Sequence, residues 1–394
     1  ALLRAADRGG ALSLDSGLMQ GVAILGSTGS IGRSTLAVLD RHRDEFRLVA
    51  LTAHRNAALL AEQAAAWQPA FTGLVENGAG LGVPVGPEVL IEAATRPDVD
   101  IVVNAIVGAA GLDATLAALR AGKRVALANK ETLVMAGPLV TEAARAGGGE
   151  LVPVDSEHSA VLQCVCGSGH ALSRLILTAS GGPFRDWPAE RIARASVAEA
   201  LNHPTWRMGQ KITVDSATLA NKALELIEAH FLFGLDYDRL EVVVHPQSVV
   251  HAFVEFCDGS VLAQLGFPSM ELPILYALTH PRRLADQGIR RFDPAAIAAL
   301  TFEPVRHDAF PALGLGLAAA RTGGTAPAVF NAANEVAVAA FLDGAIPFGG
   351  IADTIARVLD VHRAEPATDL ATVRAADHWA RAEARAAVTR EAAC

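Results

Sequence analysis

The feature that most constrains the fold of this chain is a short apolar run followed directly by a glycine-rich turn and a helical pattern. Residues 22–25 (Val-Ala-Ile-Leu) indicate a buried strand, residues 26–32 (Gly-Ser-Thr-Gly-Ser-Ile-Gly) form the turn, and a helix is predicted from Ser30 to about Arg41. Glycine lets a backbone approach a pyrophosphate, and a helix N-terminus attracts its charge. The spacing is Gly-x-x-Gly-x-x-Gly rather than Gly-x-Gly-x-x-Gly, so a tight turn without a ligand remains the alternative.

The alternation of strand and helix continues to about residue 155. Strands are predicted near residues 46–53, 70–75, 100–106 and 124–128, with helices at 57–67, 87–95 and 112–121. This alternation favours an α/β fold with a doubly wound, parallel sheet, in which functional residues lie beyond the carboxyl ends of the strands. We therefore predict a Rossmann-like dinucleotide-binding domain over residues 21–155, preceded by a candidate disordered extension at residues 1–20.

The pattern changes after residue 155. Strands near 174–178, 240–244, 249–256 and 260–265, expected to be antiparallel, predict a central α+β domain for catalysis and dimerisation over residues 156–285. Within it, residues 200–211 carry Pro, Trp and Gly and are typical of an active-site lid. Residues 286–308 are predicted to be a connector, and residues 309–394 a C-terminal helical bundle. Its helices are expected at 309–321, 327–342, 349–361 and 369–390.

The composition argues against some classes of partner. The formal net charge is −9, which does not suit a nucleic-acid surface or an anionic membrane patch. No run of about 18 apolar residues free of charge occurs, and residues 1–19 lack a continuous apolar segment, so neither a transmembrane helix nor a secretory signal is expected. We expect a cytoplasmic protein whose four cysteines are free thiols. They are Cys164, Cys166, Cys257 and Cys394.

Two carboxylates follow a predicted strand at residues 151–153. Asp155 and Glu157 are two residues apart, and on an extended segment they would point to the same side. Like charges at this spacing need compensation by a metal ion, a lysine or solvent. Residues 129–131 (Asn-Lys-Glu) follow the strand at 124–128 and would reach the same edge of the sheet.

A second polar cluster is predicted on a helix over residues 216–233, with its first residue or the preceding Asp215 as N-cap. Asn221, Lys222 and Glu225 fall within three or four residues of one another among apolar neighbours. An exposed lysine–glutamate pair is the simpler interpretation, but the apolar flanks favour an interior polar site.

Glu225 would complete a set of three carboxylates with Asp155 and Glu157. Carboxylates without His or Cys select a hard divalent cation, Mg²⁺ or Mn²⁺, over zinc. His245 and His251 are interpreted as structural histidines. Several serine, amide and amine groups would supply donors for a phosphate. These candidates are Ser180, Ser216, Asn221, Lys222 and, in the lid, His203.

The residue after the second strand bears on the choice of cofactor. An NAD site would usually place Asp or Glu there, whereas this chain has Arg55, which would accept a 2′-phosphate. We therefore predict NADP(H), with a solvated arginine at a strand end as the alternative.

A series of motifs occurs in a fixed order along the chain. They lie at residues 26–32 (Gly-Ser-Thr-Gly-Ser-Ile-Gly), 128–131 (Ala-Asn-Lys-Glu), 153–158 (Pro-Val-Asp-Ser-Glu-His), 180–184 (Ser-Gly-Gly-Pro-Phe), 203–209 (His-Pro-Thr-Trp-Arg-Met-Gly), 211–218 (Lys-Ile-Thr-Val-Asp-Ser-Ala-Thr), 221–222 (Asn-Lys), 245–251 (His-Pro-Gln-Ser-Val-Val-His) and 331–335 (Asn-Ala-Ala-Asn-Glu). Together they closely resemble the 1-deoxy-D-xylulose 5-phosphate reductoisomerase family. The resemblance spans about residue 21 to the C-terminal helices.

The resemblance implies an NADPH-dependent homodimer that requires Mg²⁺ or Mn²⁺. It would convert the sugar phosphate 1-deoxy-D-xylulose 5-phosphate to 2-C-methyl-D-erythritol 4-phosphate in non-mevalonate isoprenoid biosynthesis. The implied metal ligands are Asp155, Glu157 and Glu225, which with Lys130 form the catalytic set. Implied substrate contacts are Ser156, Glu157, Ser180, His203, Trp206, Ser216, Asn221 and Lys222. Implied NADPH contacts are Thr28, Gly29, Ser30, Ile31, Arg55, Asn56, Asn129, Glu131, Met208 and Gly209.

One position departs from the family pattern, because His54 stands where members often have Gly. Two other functions stay open from the residues alone. A metal-independent NADP-dependent dehydrogenase would leave the three carboxylates unexplained. A dinucleotide-sensing regulatory protein would bind NADPH without turnover and would need no lid.

Overall fold

The computed structural model of the chain describes residues 19–77, 82–297 and 299–392, and its contacts divide them into two compact units. The first unit takes residues up to 132 together with 140–170 and 269–291. The second takes 133–139, 171–268 and the residues from 292 onward. Most of the predicted extension, residues 1–18, lies outside the described residues, and Gln20 already belongs to the first strand.

The first unit is built on a six-stranded parallel sheet in the order β3-β2-β1-β4-β5-β6. Its strands are β1 (Gln20–Leu25), β2 (Phe46–Ala53), β3 (Phe71–Leu74), β4 (Ile101–Asn104), β5 (Arg124–Leu127) and β6 (Glu150–Pro153). The helices along this stretch are α1 (Ser30–Arg41), α2 (Ala57–Trp67), α3 (Glu88–Thr95), α4 (Leu112–Arg120), α5 (Lys130–Gly147) and α6 (Ser156–Val165). The predicted doubly wound, Rossmann-like sheet is confirmed.

The strand order reverses between β1 and β4, and this reversal positions the cofactor-binding turn. Residues 22–25 of β1 and 101–103 of β4 are buried apolar runs, as expected when helices cover both faces of a parallel sheet. Leu25 pairs with Asn104 at the carboxyl ends of the two strands. The turns that follow β1 and β4 therefore lie at the switch point of the sheet, where such folds bind ligands.

Helix α5 was not predicted from the sequence, because Pro138 interrupts its pattern. The helix is kinked at Ala136, which has non-helical dihedral angles (φ −140°, ψ 32°). Residues 133–139 belong to the second unit. There a Cβ on Gly137 would lie 2.3 Å from the ring of Phe231, so only glycine permits this approach.

The second unit contains a four-stranded mixed sheet in the order β10-β9-β7-β8. Its strands are β7 (Leu172–Ala179), β8 (Leu240–Val244), β9 (Val250–Phe256) and β10 (Val261–Leu265). The strands were expected to be antiparallel, and β9 does run antiparallel to β7 and β10. That expectation is wrong for β8, which runs parallel to β7 because the chain crosses over through helices between them. Those helices are α7 (Ala189–Ile192), α8 (Val197–Ala200), α9 (Gln210–Thr218) and α10 (Ala220–Phe233).

The single helix predicted over residues 216–233 is two helices. Leu219 adopts a left-handed conformation (φ 61°) and separates α9 from α10. The proposed N-cap is also wrong: α9 is capped by Gly209, and Asp215 and Ser216 lie inside it.

Residues 269–291 return to the first unit and carry α11 (Glu271–Thr279). This helix packs against α1, α6, β5 and β6. The segment is held to the end of α1 by Asp286, whose buried carboxylate accepts hydrogen bonds from Arg41 at 2.9 Å and His42 at 3.2 Å. The boundaries therefore differ from the predicted domain at 156–285 and connector at 286–308, since both α6 and α11 belong to the first unit.

The C-terminal residues form the predicted helical bundle. It consists of α12 (Pro311–Thr322), α13 (Ala326–Leu342), α14 (Phe348–Val361) and α15 (Leu370–Ala392). Helix α13 is its centre, packing against the other three and burying nearly its whole first half. Among the described residues, no helix combines the length and the apolar character needed to cross a bilayer.

Candidate active site

The turn after β1 requires glycine at two positions, because backbone groups pack closely there. Gly26 has φ +87°, and a Cβ there would lie 2.8 Å from the carbonyl of Ala105. A Cβ on Gly32 would lie 2.4 Å from the carbonyl oxygen of Gly26. Helix α1 begins after Gly29, and no side chain among the described residues caps it. Its first N–H groups are thus oriented to bind an anion.

The predicted cofactor residues of the glycine turn and of the segment after β2 lie at the surface of the first unit. Residues 28–31 are exposed or half-buried, whereas the flanking Ser27 and Gly32 are buried. Arg55, the second residue after β2, is exposed. Asn56, beside it, has a structural task as well, because its Oδ1 caps α2 by accepting the N–H of Leu59 at 3.2 Å.

Asn129 ties the turn after β4 to the start of α5. Its buried amide nitrogen donates to the carbonyls of Ile106 and Gly108, both at 2.9 Å, and to the Glu131 carboxylate at 2.9 Å. Its Oδ1 caps α5 by accepting the N–H of Thr132 at 3.2 Å. The Asn129 side chain therefore fixes the shape of this edge of the sheet.

Asp155 is paired with a lysine inside the first unit. The Nζ of Lys130 bonds to its Oδ2, and the two side chains are only 8% and 13% exposed. The extended geometry expected for Asp155 and Glu157 ends at Pro153: Asp155 caps α6, and Glu157 lies in the first turn of that helix. The Glu157 carboxylate accepts the hydroxyl of Ser156. A metal ion, a lysine or solvent was expected to compensate these charges, and the structure shows a lysine at Asp155.

In the second unit, His203 lies between the two predicted phosphate-binding serines. Its Nε2 is 3.0 Å from Ser180 Oγ and 3.2 Å from Ser216 Oγ. Its Nδ1 accepts the backbone N–H groups of Thr205 and Trp206, at 3.1 and 2.9 Å. A neutral imidazole with an accepting Nδ1 carries its proton on Nε2, so Nε2 is a donor aimed between the serines. Burial lowers the pKa of His203 to about 4.

The predicted lid is an irregular segment between α8, which ends at Ala200, and α9, which begins at Gln210. Trp206 and Met208 are half-buried in it, and the Trp206 ring lies 6.5 Å from the ring of His251. Beside the lid is a cleft of about 390 Å³. Its lining includes Ser180, Gly182, Pro183, Asn202, Pro204 and Pro246.

The first turns of α10 hold a second buried lysine–carboxylate pair. The Nζ of Lys222 and the amide of Asn221 both donate to the carboxylate of Glu225. The Lys222 and Glu225 side chains are almost fully buried. The interior polar site favoured from the sequence is present, and the exposed surface pair is not.

Some groups that shape the candidate site were not recognisable from the sequence. The backbone N–H groups that orient His203 carry no sequence signal. His158 is fully buried with Nδ1 at 3.7 Å from Asp155, and only its spacing of three residues from Asp155 hinted at it. His245 fits its structural interpretation, because Nδ1 contacts the Thr301 carbonyl at 2.8 Å and the ring stacks on Phe302.

Comparison with known proteins agrees with this geometry. Three family models match: 1-deoxy-D-xylulose 5-phosphate reductoisomerase at residues 22–137, its C-terminal domain at 151–233, and the DXP reductoisomerase C-terminal domain at 265–383. The 1-deoxy-D-xylulose 5-phosphate reductoisomerase of Heliobacterium modesticaldum is 51% identical over 377 residues, covering 92% of this chain and 96% of the relative. That of Gloeobacter violaceus is 49% identical over 389 residues, covering 95% and 99%.

Solved structures match over a similar extent. A 1-deoxy-D-xylulose 5-phosphate reductoisomerase from Zymomonas mobilis in complex with NADPH superposes with a TM-score of 0.86 at 42% identity, covering 94% of this chain and 99% of that one. A DOX-P reductoisomerase in complex with NADPH, fosmidomycin and magnesium superposes with a TM-score of 0.88 at 42% identity, covering 94% and 98%.

The parallel sheet with its glycine turn, together with these relatives and the NADPH-complexed structure, identifies the chain as an NADP-dependent oxidoreductase. Within that class, similarity along nearly the whole chain is decisive. The chain belongs to the 1-deoxy-D-xylulose 5-phosphate reductoisomerase family.

Proposed function

We propose that this chain uses NADPH and one divalent cation, Mg²⁺ or Mn²⁺, to convert 1-deoxy-D-xylulose 5-phosphate to 2-C-methyl-D-erythritol 4-phosphate in non-mevalonate isoprenoid biosynthesis. The observation that carries the proposal is the pair of carboxylates, Asp155 and Glu225, each buried against a lysine. A dehydrogenase that needs no metal would leave Asp155, Glu157 and Glu225 without a role in catalysis. Family membership supports the same reaction.

We assign the cation to Asp155, Glu157 and Glu225. This donor set fits Mg²⁺ or Mn²⁺ because it consists of carboxylates alone, without the nitrogen or sulfur ligands that favour zinc. A bound cation would supply Lewis-acid stabilisation of negative charge on substrate oxygens. Lys130 and Lys222 neutralise two of the carboxylates and so favour their ionised, ligand-ready forms.

The phosphate of the substrate is assigned to the donors around His203. Its Nε2–H group points between Ser180 and Ser216, and Asn221 and Lys222 would add amide and ammonium donors. Ser156 would contact the substrate from its place beside Glu157. An anchor remote from the reacting carbons supplies binding energy that orients them. Trp206 in the lid would exclude water from the bound substrate.

NADPH is assigned to the first unit and to the end of the lid. The pyrophosphate would bind at residues 28–31 over the start of α1, and Arg55 would meet the 2′-phosphate beside Asn56. The cofactor supplies a hydride when bound. The further contacts proposed are Asn129, Glu131, Met208 and Gly209.

We also propose a homodimer that acts in the cytoplasm. Strand β10 is an edge strand of the four-stranded sheet, and Val261 and Leu262 on it are 50% and 48% exposed. An exposed apolar edge favours pairing with a second chain. The thiols of Cys164, Cys166 and Cys257 are unpaired among the described residues, which fits a reducing compartment.

The decisive experiment is NADPH oxidation with 1-deoxy-D-xylulose 5-phosphate, with Mg²⁺ and after treatment with EDTA. We expect turnover only with the metal. Glu225→Gln should lower kcat about a hundredfold or more, because metal catalysis supplies several kcal/mol and each 1.36 kcal/mol is about tenfold. Glu241→Gln, on the exposed part of β8, is the matched control and should retain activity.

Two results would refute the proposal. Turnover that survives both EDTA and Glu225→Gln would identify a dehydrogenase without a metal. NADPH binding with no turnover under any metal would identify a dinucleotide-sensing protein.

A further inference from the structure

The motif at residues 331–335 (Asn-Ala-Ala-Asn-Glu) has no part in the chemistry proposed above, yet it is placed at the centre of the second unit. Asn331 and Asn334 lie on one side of α13 and are fully buried. An amide is retained in such a place when its hydrogen bonds matter, since a buried polar group without partners is costly. The partners of these two amides differ.

Asn334 contacts a buried carboxylate on α9. Its Nδ2 donates to Asp215 Oδ1 at 2.8 Å, and Lys211 Nζ lies 2.7 Å from Asp215 Oδ2. The Asp215 side chain is only 1% exposed. A buried charge of this kind persists only with both its ion-pair and hydrogen-bond partners, so Asn334 and Lys211 together hold it in place. The result is a fixed link between α9 and α13.

Helix α9 carries the phosphate-binding residue next to Asp215. Ser216 Oγ lies 3.2 Å from His203 Nε2, so a shift of α9 would move the hydroxyl away from the imidazole. Leu219 then turns the chain directly into α10, which begins two residues before Lys222. A displacement of α9 is therefore transmitted to donors on both helices.

We propose that Asn334, acting through Asp215, is a positioning residue for the phosphate anchor. The C-terminal helix α13 would thus set the geometry of Ser216, although Asn334 itself would touch neither substrate nor cofactor. This inference rests on the proposed function only in assigning Ser216 to the substrate phosphate.

The test is Asn334→Ala, measured by direct binding of inorganic phosphate, by NADPH binding and by steady-state kinetics. At metal sites, loss of a partner that orients a ligating residue typically costs about 10–100-fold in affinity or activity, and we take the lower end of that range for a hydroxyl that orients a phosphate. We expect phosphate affinity to fall about tenfold and KM for the sugar phosphate to rise in parallel, with kcat changed much less and NADPH affinity unchanged.

Asn331→Ala is the matched control. Asn331 is equally buried on the same helix, but its amide donates to Glu335 at 3.0 Å, and Glu335 holds Arg381 of α15 rather than α9. We expect this variant to lose stability without losing phosphate affinity. Equal weakening of phosphate binding by both variants would overturn the inference, because it would show a general packing effect.

Lys211→Gln covers the case in which Asn334→Ala does not fold. Lys211 is 20% exposed and holds the other oxygen of Asp215, so its removal loosens the same link at lower structural risk. We expect weaker phosphate binding, and unchanged binding would overturn the inference. A wild-type protein that binds phosphate but shows no turnover would contradict the proposed function and leave this comparison intact.

Discussion

The imidazole Nδ1 of His203 accepts the backbone N–H of Trp206 at 2.9 Å, so the predicted lid is hydrogen-bonded to its own histidine. The bond assigns the proton of the neutral ring to Nε2, on the side of Ser180 and Ser216. Protonation at Nδ1 would break two backbone contacts, which agrees with the low pKa of His203, about 4, caused by burial.

His203 should make stability depend on pH in a defined window. Its pKa is lowered from 6.5 to about 4 in the folded protein, so the unfolded chain binds more protons between these values. The contribution is present above pH 6.5 and is lost as the pH falls through about 4. Between these limits we expect the free energy of unfolding to rise with pH less steeply in His203→Asn than in the wild type, as measured by urea unfolding. His54→Asn, at a half-exposed site, serves as control, and identical slopes for His203→Asn and wild type would contradict the assignment.

Asp155→Asn should separate catalysis from cofactor binding. Breaking a buried pair by removing one partner costs about 3–5 kcal/mol of stability. We expect activity to be lost while NADPH still binds, because the glycine turn lies elsewhere in the first unit. The double variant Lys130→Met/Asp155→Asn should recover part of the lost stability. Glu142→Gln, which breaks an exposed pair with Arg145, should leave the stability almost unchanged. Loss of NADPH binding in Asp155→Asn would instead indicate a general folding defect.

Asn129→Ala should weaken NADPH binding, and it should lower the stability of the protein more than an ordinary loss of a helix cap would. The substitution removes the cap of α5 and leaves buried carbonyls without a donor, each worth about 1–3 kcal/mol. Within the fold, Asn56→Ala removes a single hydrogen bond, the cap of α2, at a cost of about 0.5–2 kcal/mol of stability, and it serves as control for the loss of stability alone. Thermal unfolding and titration with NADPH measure both effects. Equal losses of stability in the two variants would show that the bonds to the turn after β4 contribute little.

Leu262→Lys should convert a dimer to a monomer if β10 is the interface. A charge on an edge strand opposes pairing with another chain because the ammonium would be desolvated. Light scattering at a series of concentrations measures the mass. Val361→Lys is the control, since Val361 is a similarly exposed apolar residue at the end of α14. A dimer that survives Leu262→Lys would place the interface away from this edge.

The elements that could be predicted from the sequence are those specified by residues within the element itself. Helix α1 begins at Ser30 and ends at Arg41 as expected, because Leu36, Val38 and Leu39 mark its buried face. The glycine turn could also be predicted, since Gly26 adopts a positive φ and Gly32 packs on Gly26 and Ser27 within the turn itself. Strands β1 and β2 were found for the same reason, as continuous apolar runs.

The elements that were missed depend on distant partners. A proline signals the end of a helix, yet α5 continues through Pro138 with a kink at Ala136. The break at Leu219 uses a left-handed leucine, for which no residue preference gives warning. The parallel pairing of β7 and β8 follows from a crossover that only the folded chain defines. Likewise, the lysine partners of Asp155 and Glu225 were candidates in the sequence, but only the structure shows both pairs buried.

The return of residues 269–291 to the first unit has a consequence for how this protein is made. Helix α11 packs on α1, α6, β5 and β6, all of which leave the ribosome more than a hundred residues before it. All six strands of this sheet are synthesised before residue 155, but α11 is not, so the sheet exposes the surface that α11 covers while the second sheet is being translated. A fragment ending near residue 155 would carry every predicted cofactor contact of the glycine turn. It would still lack α11, one of the helices that pack on its core. The order in which the segments are synthesised therefore leaves this surface uncovered until α11 emerges.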